Sequence, residues 1–205
     1  MKGKGQLYII SAPSGAGKTS LVKALLEAAS GIEVSVSHTT RTQREGETQG
    51  KDYHFTDKLA FQSLIDAGGF LEHATVFGNH YGTSKTSVES QLAEGVDVIL
   101  EIDWQGAQQV RCLMPDSCSI FILPPSKSEL ENRLKGRGQD SGDIIAKRMC
   151  AAVDEMSHYN EYDYLLVNDD FDQALEELLA IIKCQRANIK RSALNHSLLI
   201  GQLLD

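Results

Sequence analysis

The run Ala12-Pro-Ser-Gly-Ala-Gly-Lys-Thr19 limits what this chain can become more than any other eight residues in it. It follows a compact apolar stretch, Leu7-Tyr-Ile-Ile10, and precedes a segment whose Leu21, Val22, Leu25 and Leu26 repeat at helical spacing. Strand, glycine-rich turn and helix is the setting in which the pattern G-x-x-x-x-G-K-[ST] carries meaning. Gly15 and Gly17 let the backbone curl into a nest whose N–H groups converge on an anion, and the helix adds the positive end of its dipole. Lys18 would then reach the outer phosphates of a nucleoside triphosphate, and the Thr19 hydroxyl would ligate Mg²⁺. Ala12, Pro13, Ser14, Gly15, Ala16, Gly17, Lys18 and Thr19 are thus the expected triphosphate-binding residues. Ala12 stands at the first glycine of the pattern, a place alanine tolerates at negative φ.

Short apolar runs alternate with helical segments along most of the chain. Val96–Leu100, Ser119–Leu123 and Tyr164–Val167 read as further strands. Ser126-x-x-Glu129 reads as a capping box, and Asp170 as the cap of a last major helix with Leu175, Leu178, Leu179 and Ile182 on its apolar face. Strands separated by helices imply an α/β fold, a parallel sheet covered on both faces. Residues 34–82 break this rhythm with β-rich patterning, as a subdomain inserted between core strands would. Val98-Ile-Leu-Glu-Ile-Asp103 has the form of an apolar strand ending in carboxylates, which places Asp103 near the metal, directly or through water.

Composition narrows the function. With 205 residues the chain is one domain with room for an insertion, and it can bury an ample core. Its 28 acidic against 20 basic residues, a net charge of −8, argue against a general nucleic-acid binder but leave room for a small anion held by local cations. Cys112, Cys118, Cys150 and Cys184 have neither zinc-ligand nor disulfide-framework spacing, which fits free thiols in a reducing compartment. No run is long enough for a membrane span or a signal peptide, so a cytoplasmic location is expected.

Six runs in order along nearly the whole chain resemble the guanylate kinase family, most closely its bacterial members. They are Ser11-Ala-Pro-Ser-Gly-Ala-Gly-Lys-Thr19, Ser35-Val-Ser-His-Thr-Thr-Arg41, Asn79-His-Tyr-Gly82, Glu101-Ile-Asp-Trp-Gln-Gly106, Gly136-Arg-Gly138 and Val167-Asn-Asp-Asp170. The resemblance implies phosphorylation of GMP by ATP with Mg²⁺, on a P-loop core (5–36, 84–123 and 151–205). It also implies a GMP-binding subdomain (37–83) and a helical lid (124–150). By position it assigns Arg41, Arg44, Tyr53 and Tyr81 to the GMP phosphate, Ser37, Glu72 and Thr83 to guanine, and Asp103 to GMP and the metal. Arg133, Arg137 and Arg148 would close over the transferring phosphoryl group, with Lys18 and Arg41 also catalytic, and Asn168 would lie near adenine. Ala12, Glu101 and His80 depart from the usual family residues.

The chemistry of these residue types agrees with the assignment. Guanine presents adjacent N1–H and N2–H₂ donors that one carboxylate accepts, whereas adenine would leave that carboxylate unpaired. Two other readings share part of the pattern: a kinase for another nucleoside monophosphate, and a guanylate-kinase-like module that binds phosphopeptides without catalysis. Ser37, Glu72 and Thr83 count against the first, and Lys18, Thr19 and the three arginines against the second. The histidines form no ligand-spaced group, and Trp104 reads as packing. Expected partners are the two nucleotides, with no nucleic acid or membrane and an undetermined oligomeric state.

Overall fold

A computed structural model of the chain describes residues 3–136 and 142–205. Strand β1 (Leu7–Ser11) runs through the glycine-rich loop into α1 (Lys18–Ala28) and β2 (Ile32–Val34). A separate layer follows, made of β3 (His38–Thr39), β4 (His54–Phe55), α2 (Lys58–Asp66), β5 (Phe70–Val76) and β6 (Asn79–Ser84). The chain then returns through α3 (Lys85–Ala93), β7 (Asp97–Glu101), α4 (Trp104–Leu113), β8 (Cys118–Leu123), α5 (Lys127–Gly136), α6 (Gly142–Ser157) and β9 (Tyr164–Val167). It ends in α7 (Phe171–Arg186), α8 (Ile189–Asn195) and α9 (Ser197–Leu204).

The main sheet has the order β2-β7-β1-β8-β9, and every neighbour is parallel. Alternation along β1 explains why it is buried on both faces. Leu7 and Ile9 pack with Val88, Leu92 and Val110 of α3 and α4, while Tyr8 and Ile10 pack with Leu21, Leu25 and Leu178 of α1 and α7. Each fully buried aliphatic side chain contributes roughly 1.5–3 kcal/mol. The centre of the sheet is therefore a rigid base, and the loops leaving the ends of β1 and β7 start from fixed points.

The second sheet has the order β4-β3-β6-β5. Its β5–β6 hairpin closes through Phe77 and Gly78, both in the left-handed region at φ 48° and 78°, as a two-residue turn between twisted strands requires. A register shift between Phe70 and Glu72 accompanies the burial of the consecutive residues Leu71 and Glu72.

Three local expectations need amendment. The β-rich stretch also contains α2, started by Asp57, whose side chain accepts from the Ala60 amide; Phe61 is its one buried residue, so its periodicity is faint. Ser126 caps α5 through the Glu129 amide, but the Glu129 carboxylate bonds Arg133 at 2.8 Å, so this return bond replaces the reciprocal half of a capping box. The strand expected from Val96 begins one residue later.

Candidate active site

The glycine-rich loop begins where β1 ends. Ser11 donates to the Ile102 carbonyl at 2.8 Å, which ties this loop to the segment after β7. Gly15 and Gly17 have φ of 97° and 93°, the alternation a nest needs. A side chain at Gly17 would strike the amide of Asn168. That amide donates to the Ala16 carbonyl at 2.7 Å, in a contact buried from solvent. Arg133 reaches the same loop, donating to the carbonyls of Ala16 at 3.5 Å and Asn168 at 3.1 Å. Asn168 and Arg133, expected at adenine and at the phosphoryl group, thus brace the loop in this structure.

At the loop's exit the Thr19 hydroxyl donates to Glu101 Oε2 at 3.1 Å. Asp103, expected as the metal's carboxylate, caps α4: its Oδ1 accepts from the Gly106 amide at 2.9 Å and its Oδ2 from Gln105 at 3.1 Å. Both carboxylates line the cleft, so Glu101 joins Asp103 as a candidate. Among the described residues no group of three His, Cys, Asp or Glu side chains is arranged to hold a metal alone. A hydroxyl beside one carboxylate at a phosphate loop suits Mg²⁺, which takes few protein ligands and shares the rest with phosphate and water.

Across the cleft Glu72 is 3% exposed and Thr83 fully buried. Thr83 donates to Glu72 Oε1 at 2.5 Å, and the Ser37 hydroxyl lies 3.4 Å from that of Thr83. Burial pushes the Glu72 carboxyl up to about 7; the Thr83 bond and Lys18 pull it down, and the Asp103 charge pushes it further up. Helix α4 comes close enough to touch this carboxylate because residue 106 is glycine. These three residues therefore form one acceptor-and-hydroxyl pocket.

Beside it, the Arg41 guanidinium lies 5.4 Å from the centre of the Tyr53 ring, and Tyr53 meets Tyr81 edge-on at 6.0 Å. Glu47 holds this group: Oε1 accepts from Arg41 at 2.7 Å, and Oε2 accepts from the Arg44 amide at 2.8 Å. Arg41 keeps the Glu47 carboxyl below its ordinary range, against the opposing effect of partial burial.

The loop, Ser37, Tyr53, Glu72, Tyr81, Glu101 and Asp103 line a single cleft of about 300 Å³. Phe77 and Glu155 line it too, and sequence reasoning missed both, along with Glu47 and the spacing role of Gly106. The basic residues assigned by family resemblance do not line the cleft equally. Among its described lining residues Lys18 is the only basic side chain, and it faces Glu72, Glu101, Asp103 and Glu155. Arg41 and Arg133 are drawn to Glu47 and Glu129 at the margins, and Arg148 is half-buried on α6. Arg137 lies outside the described residues.

A phosphate nest with a lysine at its exit, facing a pocket built to accept hydrogen bonds, defines a P-loop nucleotide kinase. The guanylate kinase family model matches residues 4–185. Guanylate kinases of Salmonella typhimurium (strain LT2) and Escherichia coli (strain K12) are each 59% identical over 203 residues, covering 98% of this chain and 98% of their own. The crystal structure of guanylate kinase from Anaplasma phagocytophilum superposes with a TM-score of 0.78 at 36% identity, covering 93% of this chain and 91% of that one. The chain belongs to the guanylate kinase family.

Proposed function

We propose that this chain transfers the γ-phosphoryl group of ATP to GMP, giving ADP and GDP. The observation that carries the proposal is the buried Glu72–Thr83–Ser37 pocket opening into the same cleft as the phosphate loop. Glu72 would accept from guanine N1–H and N2–H₂ and the Ser37 hydroxyl would donate to O6, while Thr83 holds the Glu72 carboxylate in place through its own hydroxyl. Arg41, Arg44, Tyr53 and Tyr81 would take the GMP phosphate, the guanidinium fork matching two oxygens at once. On the donor side, amides of residues 13–19 and the Lys18 ammonium would hold the triphosphate.

A GMP phosphate oxygen is already anionic near neutral pH, so the chain needs to supply no strong base. Its contribution is placement of the two phosphates in line and donation of positive charge toward the transferring group. Lys18, Arg133, Arg137 and Arg148 are the proposed suppliers of that charge. Thr19 with Glu101 or Asp103 would hold Mg²⁺, which when bound shields the negative charge between the phosphates. Residues 124–150, as a lid, and 37–83 would close together and exclude water that otherwise hydrolyses ATP. The four free thiols support placing this reaction in the cytoplasm. Replacing Lys18 with alanine tests the proposal: GMP-dependent ADP formation should fall by at least about a thousandfold while GMP still binds. Retained turnover would contradict it.

A further inference from the structure

The carboxyl group of Glu155 sits at the phosphate loop, and no step outlined above uses it. Glu155 is half-buried on α6, lines the cleft, and accepts a hydrogen bond through Oε2 from the Ser14 amide at 3.3 Å. Ser14 belongs to the nest. A phosphate seated there needs the same amide, and two anions in a half-buried site repel rather than share a donor. The helix that carries Glu155 is anchored at its C-terminal end. Just past the end of α6 the His158 ring stacks on Trp104, with centres 3.8 Å apart and planes 8° apart. His158 Nδ1 lies 2.5 Å from Glu161 Oε1, and Arg111 bonds the other oxygen of Glu161 at 2.7 Å. These contacts hold the end of the helix from which Glu155 reaches the loop.

We infer that Glu155 competes with the triphosphate for the loop: its carboxylate holds the Ser14 amide, and ATP has to displace it to seat its phosphates. The inference rests on reading the loop as an ATP site. It makes donor affinity depend on the fraction of molecules in which the amide is released. Because the carboxylate rides on α6, ATP binding and the position of that helix become linked. The groups facing Glu155 are Lys18 of α1, Asp103 ahead of α4 and Asp154 on its own helix. Burial is the main influence and pushes its carboxyl up to about 7, with the Ser14 bond and Lys18 opposing. Below that pH the group is neutral and competes weakly; above it the full charge competes.

Calorimetric titration of the full-length chain with Mg²⁺·ATP, without GMP, tests this at pH 6 and pH 8. Glu155→Gln should bind ATP about five- to tenfold more tightly than the parent chain at pH 8, with the difference shrinking toward pH 6. A variant that binds no more tightly, or whose gain is the same at both pH values, overturns the inference. Glu155→Ala, which removes the acceptor altogether, is read in the same way if the glutamine variant does not fold. A parent chain that does not bind ATP at all would overturn the reading of the loop instead.

Discussion

The Glu72 carboxylate occupies the space that a side chain on Gly106 would need, although one residue belongs to β5 and the other to the first turn of α4. Glycine inside a helix ordinarily costs about 0.5–1 kcal/mol relative to alanine. Here a methyl group would push on a carboxylate that is buried and pinned by Thr83. Gly106→Ala should therefore raise the KM for GMP by about tenfold while the helix gain largely offsets the packing loss in thermal melting. A large fall in Tm with unchanged KM would assign the glycine to packing alone.

Protonation of Glu72 should govern acceptor binding. Its carboxyl is pushed up to about 7 by burial, so it is neutral below that pH and an acceptor for two donors above it. GMP affinity should rise as pH increases through about 7, and Glu72→Gln should flatten that rise while lowering kcat/KM about a hundredfold or more. The same shift acts on stability in the opposite direction. The folded state binds the proton more tightly than the unfolded chain, so stability falls as pH rises from the ordinary carboxylate range to about 7. At pH 8 the glutamine variant should be the more stable, by on the order of 1–3 kcal/mol in urea denaturation. Equal stability at pH 8 would contradict the burial argument.

Glu47 positions Arg41 and also competes for it. The pair is mostly shielded, with side-chain exposures of 13% and 20% at 2.7 Å. Removing the carboxylate leaves a long cation without its orienting partner. Glu47→Ala should raise the KM for GMP by about three- to tenfold and leave the KM for ATP unchanged. A fall in GMP KM would mean that competition outweighs orientation.

Asn168 holds the phosphate loop from behind. Its buried bond to the Ala16 carbonyl contributes roughly 1–2 kcal/mol, and alanine would leave that carbonyl without this donor. Asn168→Ala should lower Tm by several degrees and weaken ATP more than GMP. Asn168→Asp should be worse on both counts, because a carboxylate oxygen would face the carbonyl. Unchanged melting in both variants would remove the bracing role.

Parts of this site are legible in the sequence because they are local. Strand, loop and helix from Leu7 to Ala28 announce themselves through apolar spacing and two glycines within one stretch. Glu72 and Thr83 are not legible in that way. Their meeting depends on the β5–β6 register and on the irregularity after Phe70, and only family resemblance singled them out. Glu155 and Ser14 are 141 positions apart, and in the sequence Glu155 is one acidic residue beside another on a helix. Where the described arginines sit is not legible in the sequence for a related reason. A long arginine side chain turns toward whichever acceptor is near, and Glu47 and Glu129 are invisible to a tally of charges.

The central claim is that the buried pocket selects guanine for phosphoryl transfer from ATP. Release of ADP, measured with Mg²⁺·ATP and GMP, AMP, UMP or TMP in turn, tests it most directly. The account predicts a kcat/KM for GMP at least about a thousandfold above the others, because each of the others leaves Glu72 buried without its pair of donors. Comparable turnover of any other monophosphate, or no ADP release that depends on GMP, would contradict it.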